Sequence, residues 1–573
     1  MIFTERRNMG THSNALSFRA FTFMSVTAVI MTSGLAAMAD DFKEETRASN
    51  GSNNNLAHPD WGMPGSHLLR EASGTHYADG ISAMSRPTGP SPRAISNAIF
   101  HQEKSIPSHL GISDYIWTFG QFLDHDLSLT EGAGSDGRTD AFIRIPPFDV
   151  FFDPFGTGTQ MMPFHRGMYD PTTGTTTPRL QINELTGYID GSNIYGSDDQ
   201  RMAWLRSGAG GRLKVTHTPV GDLAPYNDGT QGNAGSPERP DLSTTLFVAG
   251  DIRINEQPTL ACMHILFIRE HNYQADRFAA KHPDWTDEQI FQGARRIVIA
   301  ELQHIAIDEF IPALFGNAAG IGRYSGYDPR VNPGVSAVFS TAAYRVGHTL
   351  LSSAIQRLDA DGKSIPEGPL RLRDSFFAVA PPLVTAHGIE PFLRGVAAQK
   401  SQELDNKVID EVRNFLFGLP GAGGLDLITL NLQRGRDMGL PDFNTVRSDF
   451  GLSRVTSFSQ ITKDPALAAQ LQQLYGSVDA IDPFAGMFAE DHFRGYNIGQ
   501  TLLAVFTDQF RRARAGDRFW YERILDGDDL ARVRHTQLSD IIKRNTSIDR
   551  IQDNVFFVPG FSQPNADPGP GRH

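Results

Sequence analysis

Three side chains capable of chemistry, Gln121, Asp124 and His125, lie within a short and otherwise largely apolar stretch at 117–127. If this stretch is helical, positions i, i+3 and i+4 project from one face, so the amide, the carboxylate and the imidazole meet. Burying such a cluster is costly unless each polar group finds a partner. The stretch therefore predicts a polar face for binding or catalysis, with a solvated polar stripe as the alternative that this window alone leaves open.

A second set of oxygen-bearing residues occurs at even spacing in the segment 185–196. Thr186, Asp190 and Ser192 supply hydroxyl and carboxylate oxygens, and Tyr188 between them has a backbone carbonyl to offer. Hard cations prefer such a mixed set of oxygens. The segment is compatible with a cation loop, and an ordinary surface loop is the alternative.

The polar residues need rigid elements to position them, and hydrophobic periodicity predicts that these elements are helices. Apolar residues recur at helical spacing over 258–280, where Pro258 suits the first helical position. Thr286 and Gln289 belong to a capping box that opens a second long helix towards residue 314. Strand signals are few and short, so we predict a mainly α fold: one large helical domain with long ordered loops. Further helices are predicted at 335–353, 403–417, 465–475, 495–512 and 527–543.

Composition is that of a large globular protein, with 573 residues, 40% of them hydrophobic and 20% charged. The formal net charge of -13 argues against nucleic acid as a partner and disfavours constitutive binding to an anionic membrane. Turn-forming residues are dense at 40–110, which we interpret as a loop-rich arm packed on the domain. The catalytic domain is then 111–562, followed by a flexible tail at 563–573.

The N-terminus has the features of a secretory signal peptide. Arginines at positions 6, 7 and 19 precede an uncharged, largely apolar run at 20–38, and small residues around Ala39 fit a cleavage site. We therefore predict a signal peptide at 1–39, with a transmembrane anchor as the alternative, and no later membrane span. The single cysteine, Cys262, excludes an intramolecular disulfide, which favours a bacterial exported or periplasmic protein over a eukaryotic secretory one.

Six separated motifs, taken together, resemble the animal-type haem peroxidases of the peroxidase–cyclooxygenase superfamily. Each motif alone is weak, but their order and rough spacing match, and the resemblance extends from about residue 45 to about residue 560. The motifs are GQFLDHD at 120–126, LTGYIDGS with IYG at 185–196, AGDIR with Glu256 at 249–256, REHN at 269–272, YRVGH at 344–348 and LNLQRGRD at 430–437.

The resemblance implies a role for each matching residue. His348 would be the proximal ligand of the haem iron, and Asn431 would accept a hydrogen bond from its other ring nitrogen. His125 would be the distal base and Arg253 the fixed cation beside it, because peroxide cleavage needs a proton acceptor and stabilisation of negative charge. Gln121 would hold a distal water molecule or a small anion.

The resemblance also implies how haem b and calcium would be held. Arg345 would pair with a haem propionate, and Asp124 and Glu256 occupy the two positions where haem is usually esterified in this family. The calcium ligands would be Asp126, Thr186, the Tyr188 carbonyl, Asp190 and Ser192.

The function implied is a secreted haem peroxidase that reduces hydrogen peroxide through a compound I intermediate while oxidising halide, thiocyanate or a small organic donor. A fatty-acid dioxygenase or cyclooxygenase-like enzyme is a second candidate, but the expected radical tyrosine position, three residues before His348, holds Arg345, and Tyr344 is four before. A haem-free adhesion or matrix-binding protein and a plain calcium-binding structural protein stay open as well. Oligomeric state does not follow from the sequence.

Two residues depart from the family pattern. Gln257 replaces a methionine that forms a third haem link in some members, so we expect no such link, and Met438 stands where a histidine is frequent. His264, His271 and His304 lie on predicted helices and are interpreted as structural. A zinc or non-haem iron site that uses His264, Glu270 and His271 lacks the His-Glu-x-x-His spacing of zinc hydrolases.

Overall fold

Helix α2 (Tyr115–Leu127) is the element that the sequence singles out, and all of its residues except Gly120 and Gln121 are buried. Its aromatic side chains pack into the core: the ring of Phe122 stacks on Phe267 at 5.0 Å, and Phe119 lies 5.5 Å from Phe310. The helix ends at Ser128, whose backbone is extended. A helix buried on nearly every side has little rotational freedom, so its polar residues are held in fixed directions.

The computed structural model describes residues 45–130, 141–236, 240–317, 320–377 and 380–564. The predicted signal peptide at 1–39 and most of the predicted tail at 563–573 lie outside these ranges. The described residues from Thr46 onward belong to one compact unit, and they confirm the prediction of a mainly helical domain with few short strands.

The α-helices of the described residues are as follows in chain order. They are α1 (Pro92–Ile99), α2 (Tyr115–Leu127), α3 (Ser192–Tyr195), α4 (Asp199–Leu205), α5 (Pro258–Lys281), α6 (Asp287–Ile305), α7 (Ile311–Phe315), α8 (Ala337–Thr341), α9 (Ala380–His387), α10 (Glu390–Ala398), α11 (Asp410–Arg413), α12 (Leu427–Asp437), α13 (Phe443–Asp449), α14 (Pro465–Tyr475), α15 (Pro483–Ala489), α16 (Gln500–Ala515), α17 (Tyr521–Ile524), α18 (Gly527–His535) and α19 (Leu538–Asn545).

The described strands form three antiparallel two-stranded sheets. These pair β1 (Ile143–Arg144) with β2 (Met161–Met162), β3 (Thr216–Thr218) with β4 (Gly221–Leu223), and β5 (Ala354–Ile355) with β6 (Leu370–Arg371). Within the described ranges, no helix combines the length and the apolar character that a membrane crossing requires.

Two long helices, α5 and α6, pack against each other and begin where the sequence predicts. Pro258 opens α5, and the capping box of α6 is present because Thr286 accepts a hydrogen bond from the backbone N–H of Gln289 while the Gln289 side chain accepts one from that of Thr286. A π-helical turn, Ala306–Phe310, then joins α6 to α7. Helical structure therefore does continue to Phe315, but with one irregular turn that periodicity did not reveal.

Two predicted helices are wrong as continuous elements. In 335–353 the structure has only α8 and a 3₁₀-helix, Ala343–His348, because the backbone at Ala342 turns to φ -117° between them. In 403–417 only α11 is α-helical. The preceding backbone pairs instead with the N-terminal region: the N–H of Glu403 donates to the Ile106 carbonyl and that of Val408 to the Phe100 carbonyl.

Of the other three predicted helices, those at 465–475 and 495–512 are confirmed as single helices, and the one at 527–543 is helical but wrong as a continuous element. Helix α14 has the predicted bounds, and α16 begins later and ends later than 495–512. The predicted helix at 527–543 is two helices, because Gln537 forms a capping box with Asp540 and starts α19 anew.

Residues of the predicted arm make contacts with distant parts of the chain. Arg47 forms a buried ion pair with Asp517 at 2.7 Å. The backbone N–H of Leu68 donates to the Gln181 carbonyl, and that of Leu69 donates to the Val335 carbonyl. These bonds attach the N-terminal segment both to the C-terminal helices and to the backbone that leads into α8. The boundary at residue 110 stays a prediction.

Candidate functional site

One cavity of about 590 Å³ is lined by the residues that the sequence analysis proposed for catalysis and cofactor binding. Helix α2, the turn before α5, the 3₁₀-helix before Thr349 and helix α12 all contribute to its wall. The volume lies in the range of small-molecule and cofactor sites. The predicted residues that line it are Gln121, Asp124, His125, Arg253, Glu256, Arg345, His348 and Asn431.

His125 is the buried imidazole on the α2 wall of this cavity. Its Nδ1 atom has no hydrogen-bond partner within the described part of the chain and lies 3.5 Å from a carboxylate oxygen of Asp251. Burial and then the nearby charge of Arg253 lower the pKa of His125 well below its usual range. The imidazole is therefore neutral at neutral pH, the form that can accept a proton.

Arg253 is held rigidly beside His125. Its Nε and Nη2 atoms donate to the two oxygens of Asp251 at 2.9 and 2.8 Å, and Nη2 also donates to the Ser128 carbonyl at 3.1 Å. Burial alone would lower the pKa of Arg253, but the Asp251 charge more than offsets it, so the pKa is raised. The result is a permanent cation fixed by a bidentate contact.

Gln121 is positioned by the residue that departs from the family pattern. The Gln257 side-chain amide donates to Gln121 Oε1 at 3.1 Å. The Gln257 oxygen accepts hydrogen bonds from the backbone N–H and the hydroxyl of Thr259 at 2.7 and 2.8 Å, which caps the start of α5. Gln257 therefore joins the cap of one helix to a cavity residue of another.

His348 and Asn431 meet as the sequence analysis proposed. The Asn431 amide nitrogen lies 2.7 Å from His348 Nδ1. Turning that amide by 180° places its oxygen there, in the acceptor role that an iron-bound imidazole requires. Burial and then the charge of Arg345 lower the pKa of His348 to about 3, so its ring is neutral and able to bind a metal.

Two carboxyl groups and two guanidinium groups complete the polar lining. Burial raises the pKa of Asp124, and it raises the pKa of Glu256 to about 7. The charge of Arg345 acts on Asp124 and on His348. Arg434 also lines the cavity and bonds to Asp437 at 3.0 Å. The cavity therefore combines positively charged arginines, one of them close to His348, with two carboxyl groups whose raised pKa values favour the neutral form.

The proposed cation loop packs against α2. Asp126 accepts a hydrogen bond from the Ser192 hydroxyl at 3.0 Å, and Asp190 accepts one from the Thr186 hydroxyl at 2.8 Å. Burial and then the charge of Asp190 raise the pKa of Asp126 to about 7. One carboxylate oxygen of Asp190 is buried and has no hydrogen-bond partner in the ranges that the structure describes. Two adjoining carboxylates in a buried place are costly without a cation.

The other proposed ligand at this loop, Tyr188, has a fully buried ring whose hydroxyl donates to the Trp61 carbonyl at 2.8 Å. Among the described residues, no group of three or more His, Cys, Asp or Glu side chains is arranged to hold a metal ion. Of the residues considered for a zinc or non-haem iron site, His264, Glu270 and His271, the carboxylate of Glu270 pairs with Arg544 at 2.6 Å. The proposed calcium loop contains only two carboxylates, so the finding does not bear on it.

Sequence reasoning gave no role to four residues that shape this site: Asp251, Gln257, Arg434 and Met438. Asp251 stands two positions before Arg253, a spacing that could have indicated a local clamp. Arg434 lies one helical turn after Asn431, which places both on the same side of α12. Met438 is buried and lines the cavity, so it supplies an apolar wall where the family often has a histidine.

Known proteins resemble this chain over nearly its whole length. The animal haem peroxidase family matches residues 46–556. Peroxinectin A of Dictyostelium discoideum is 36% identical over 536 residues, which cover 90% of this chain and 96% of that protein. The peroxidasin homologue of Mus musculus is 34% identical over 561 residues, which cover 91% of this chain and 38% of that much longer protein.

Solved structures agree. Peroxidase A from Dictyostelium discoideum has a TM-score of 0.82 and 35% identity, and the match covers 90% of this chain and 100% of that one. A fatty acid α-dioxygenase of Oryza sativa has a TM-score of 0.72 over 90% of this chain and 87% of its own, but at 18% identity this shows a shared fold alone. The chain therefore belongs to the animal haem peroxidase family and is a haem-dependent peroxidase, an oxidoreductase.

Proposed function

We propose that this chain uses hydrogen peroxide to oxidise a halide, thiocyanate or a small organic donor. The observation that carries the proposal is that one cavity contains a neutral imidazole beside a clamped guanidinium, His125 and Arg253, together with a second neutral imidazole, His348. Peroxide cleavage uses all three.

The residues present fit haem b as the cofactor. His348 is neutral and has Asn431 at 2.7 Å to fix its tautomer, and Arg345 lines the same cavity as a positive charge with which a propionate could pair. Arg434 supplies a second positive charge in the same cavity. When bound, haem supplies the redox centre that peroxide oxidises by two electrons and that a donor reduces again.

The chain's own residues then handle protons and charge. With Nδ1 of His125 turned towards Asp251, the other ring nitrogen is the one free to take a proton from peroxide and to deliver it to the departing oxygen. Arg253 stabilises the negative charge that develops on that oxygen as the O–O bond breaks, and it cannot lose its own proton. Gln121 donates or accepts a hydrogen bond with a water molecule or anion in the cavity.

Substitution of His348 tests the proposal directly. We expect the purified protein to show a haem absorbance band that shifts rapidly on addition of a slight excess of peroxide, and we expect His348→Ala to lose or grossly alter that band because the iron loses its ligand. His217→Ala, which changes an exposed histidine paired with Asp222, serves as the control and should leave the spectrum unchanged. A haem-supplied wild-type protein without the band would refute the catalytic assignment.

A second prediction concerns Asp251, whose carboxylate contacts both His125 and Arg253. Asp251→Asn keeps the size of the side chain but removes the charge that clamps the guanidinium, so we expect the rate of the peroxide-driven absorbance change to fall by roughly 10²–10³, the effect of losing one preorganised electrostatic contact. Oxidation of the donor, measured separately, should change much less. Stopped-flow absorbance at matched haem content gives both rates.

The control for this variant is Asp482→Asn. Asp482 also forms a buried pair with an arginine, Arg436 at 2.7 Å, but it does not line the cavity. Loss of that pair should lower the denaturation midpoint without slowing the peroxide step per bound haem. Equal slowing in both variants would show that Asp251 acts only through general stability.

We further propose that haem is esterified to Asp124 and Glu256: each carboxyl oxygen would bond to a haem methyl carbon that gives up a hydrogen, and peroxide, as the two-electron oxidant, would be reduced to water. Burial raises the pKa of both carboxyl groups, and an ester is neutral, so its formation avoids burying their charge. Acid–acetone should therefore leave haem on the wild-type protein after peroxide treatment and extract it completely from the Asp124→Asn, Glu256→Gln double variant. Complete extraction from the wild type would rule the ester links out.

Calcium is proposed as the ion of the loop that contains Asp126, Thr186, Asp190, Ser192 and the Tyr188 carbonyl. The Asp190 oxygen without a hydrogen-bond partner among the described residues and the raised pKa of Asp126 support this proposal, because a bound divalent cation would satisfy that oxygen and stabilise both carboxylates. Because Asp126 follows His125 in α2, the ion would also fix the distal helix.

Chelation tests the calcium proposal. We expect a strong calcium chelator to lower the thermal midpoint of the protein and to alter its haem band, and we expect Asp190→Asn to show the lower midpoint without chelator. Asp359→Asn removes an exposed aspartate that accepts turn hydrogen bonds, and it should keep the wild-type response. A wild-type protein that contains no calcium and ignores the chelator would contradict the assignment.

Export is proposed from the N-terminal sequence, because a basic segment followed by an apolar run at 20–38 is typical of a signal peptide. The bacterial origin stays a prediction. Cys262 is fully buried in the described structure, which argues against a disulfide-linked dimer.

The dioxygenase reading gains no support from Tyr344. This residue lines the cavity, but its hydroxyl donates to the Gly120 carbonyl at 3.2 Å, and Arg345 occupies the position three before His348. A haem-free adhesion protein would leave unexplained why the proposed site residues converge on one cavity.

A further inference from the structure

The hairpin that β1 and β2 form carries a concentrated group of exposed apolar side chains. Phe148, Val150 and Phe155 lie in the loop between the two strands and are 73%, 78% and 88% exposed. Phe142 and Met161, at the ends of the hairpin, are exposed as well. Five of the twelve exposed large hydrophobic side chains among the described residues therefore belong to this one hairpin. Protein surfaces ordinarily expose such residues singly, so the group indicates an interaction surface.

The acidic residues of the hairpin point inward. Between Arg144 and His165 the chain has only two charged side chains, Asp149 and Asp153, and both are buried. Asp149 accepts hydrogen bonds from Arg93 at 2.7 and 3.2 Å, and Asp153 accepts them from two backbone N–H groups of its own turn at 2.9 and 2.7 Å. The exposed side of the loop therefore carries no charge, which is the reverse of an ordinary surface loop.

The fold holds the exposed side chains in place. The backbone N–H of Ile145 donates to the Gln160 carbonyl at 3.0 Å, which continues the strand pairing into the loop. The ring of Phe148 covers Gly156 so closely that a Cβ atom there would lie 2.2 Å from it. A preorganised surface pays little conformational entropy on binding. The inner face is anchored by a buried cluster that consists of Ile143, Ile145, Met162 and Phe164.

The hairpin lies beside the opening of the cavity. Strand β2 leads directly into Pro163 and His165, which are exposed and also line the cavity. Phe417 lines the cavity too and is exposed. Its loop contacts the hairpin, because the rings of Phe151 and Phe415 lie 5.7 Å apart. A surface that covered the hairpin would therefore lie next to the cavity opening.

We propose that this hairpin inserts its apolar tip into the interfacial region of a lipid bilayer with zwitterionic headgroups. The interface of a bilayer accepts apolar and aromatic side chains without requiring charges or hydrogen bonds from them. The net charge of the chain is -13, so an anionic bilayer would repel it. Arg144 is exposed where the loop begins, and it is placed to meet the lipid phosphates once the tip is inserted.

Two other occupants fit the hairpin less well. A second copy would have to cover this surface with an identical one, and two projecting tips are not complementary in shape to each other. Protein partners are commonly recognised through tyrosine and arginine side chains and through hydrogen bonds. The loop at 145–160 contains no tyrosine or arginine, and both of its charged residues are buried. Insertion into a bilayer depends on apolar burial and needs none of these groups.

Sedimentation with phosphatidylcholine vesicles tests the proposal. The protein is purified after signal removal, with its N-terminus checked by mass spectrometry, so that the apolar run at 20–38 does not contribute. We expect the wild type to sediment with the vesicles and the Val150→Ser, Phe155→Ser double variant to bind roughly tenfold more weakly or less, because two apolar side chains no longer leave water. The control, Leu56→Ser with Leu242→Ser, removes two exposed apolar side chains from other segments and should bind like the wild type.

A fluorescent label reports insertion at the hairpin itself. Cys262 is the single cysteine of the chain and is fully buried, so Phe155→Cys places one reactive thiol at the tip. A polarity-sensitive dye on that thiol should brighten when phosphatidylcholine vesicles are added. The same dye attached through Leu56→Cys should not respond.

The outcomes decide between a lipid and a protein occupant. Wild-type protein that stays in the supernatant, equal binding by the wild type and the hairpin variant, or a dye at position 155 that ignores the vesicles would each overturn the proposal. An oligomer that the hairpin variant fails to form, without vesicle binding by the wild type, would assign the surface to a second copy instead. An unchanged thermal midpoint shows that the variant is folded. These measurements use no peroxide, so their result is independent of the proposed reaction.

Discussion

The carboxylate of Asp126 is the contact on which the rest of the site depends. It lies at the end of α2 and receives hydrogen bonds from one short segment of the chain, the loop and first turn at 190–193. Because His125 is the preceding residue, these bonds fix the rotation of α2 about its axis, and a shift by one residue would turn the imidazole by about 100°. The donors are the backbone N–H groups of Asp190, Gly191 and Asn193 at 3.1, 3.2 and 3.3 Å, and the Ser192 hydroxyl at 3.0 Å.

The same segment also positions the turn that carries Arg253. Asn193 makes both contacts. Its backbone carbonyl accepts a hydrogen bond from the Asp251 N–H at 3.0 Å, and its side-chain amide donates to the Phe122 carbonyl of α2 at 2.6 Å. Close approach is essential here, because a Cβ atom on Gly250 would lie 2.1 Å from the Ser192 carbonyl oxygen. One loop therefore sets both the base and the cation, and any ion that rigidifies the loop acts on both.

The fold could be predicted where the sequence signal is local. The prediction failed where backbone segments far apart in the sequence pair with each other. The capping box at Thr286 and the proline at 258 locate α6 and α5 because both act within one helical turn. The segment 403–417 has a helical pattern of apolar residues, but its backbone bonds to the segment around Phe100, roughly three hundred positions earlier in the chain. No sequence pattern within a dozen neighbouring residues indicates that backbone pairing.

The same distinction between local and tertiary signals applies to the residues of the site. Residues for which we propose a direct chemical role, such as His125, Arg253 and His348, could be singled out from motifs that resemble those of a known family, because a shared reaction constrains the type and order of such residues. Residues that position them were missed because burial, a property of the folded chain, decides what they do. Asp251 acts as a clamp only because it is buried between an imidazole and a guanidinium, and Asp114 differs from an ordinary helix cap only because its carboxyl group turns inward. An aspartate two residues before an arginine, or one before a helix, is common in sequences, so its meaning here comes from the tertiary structure that surrounds it.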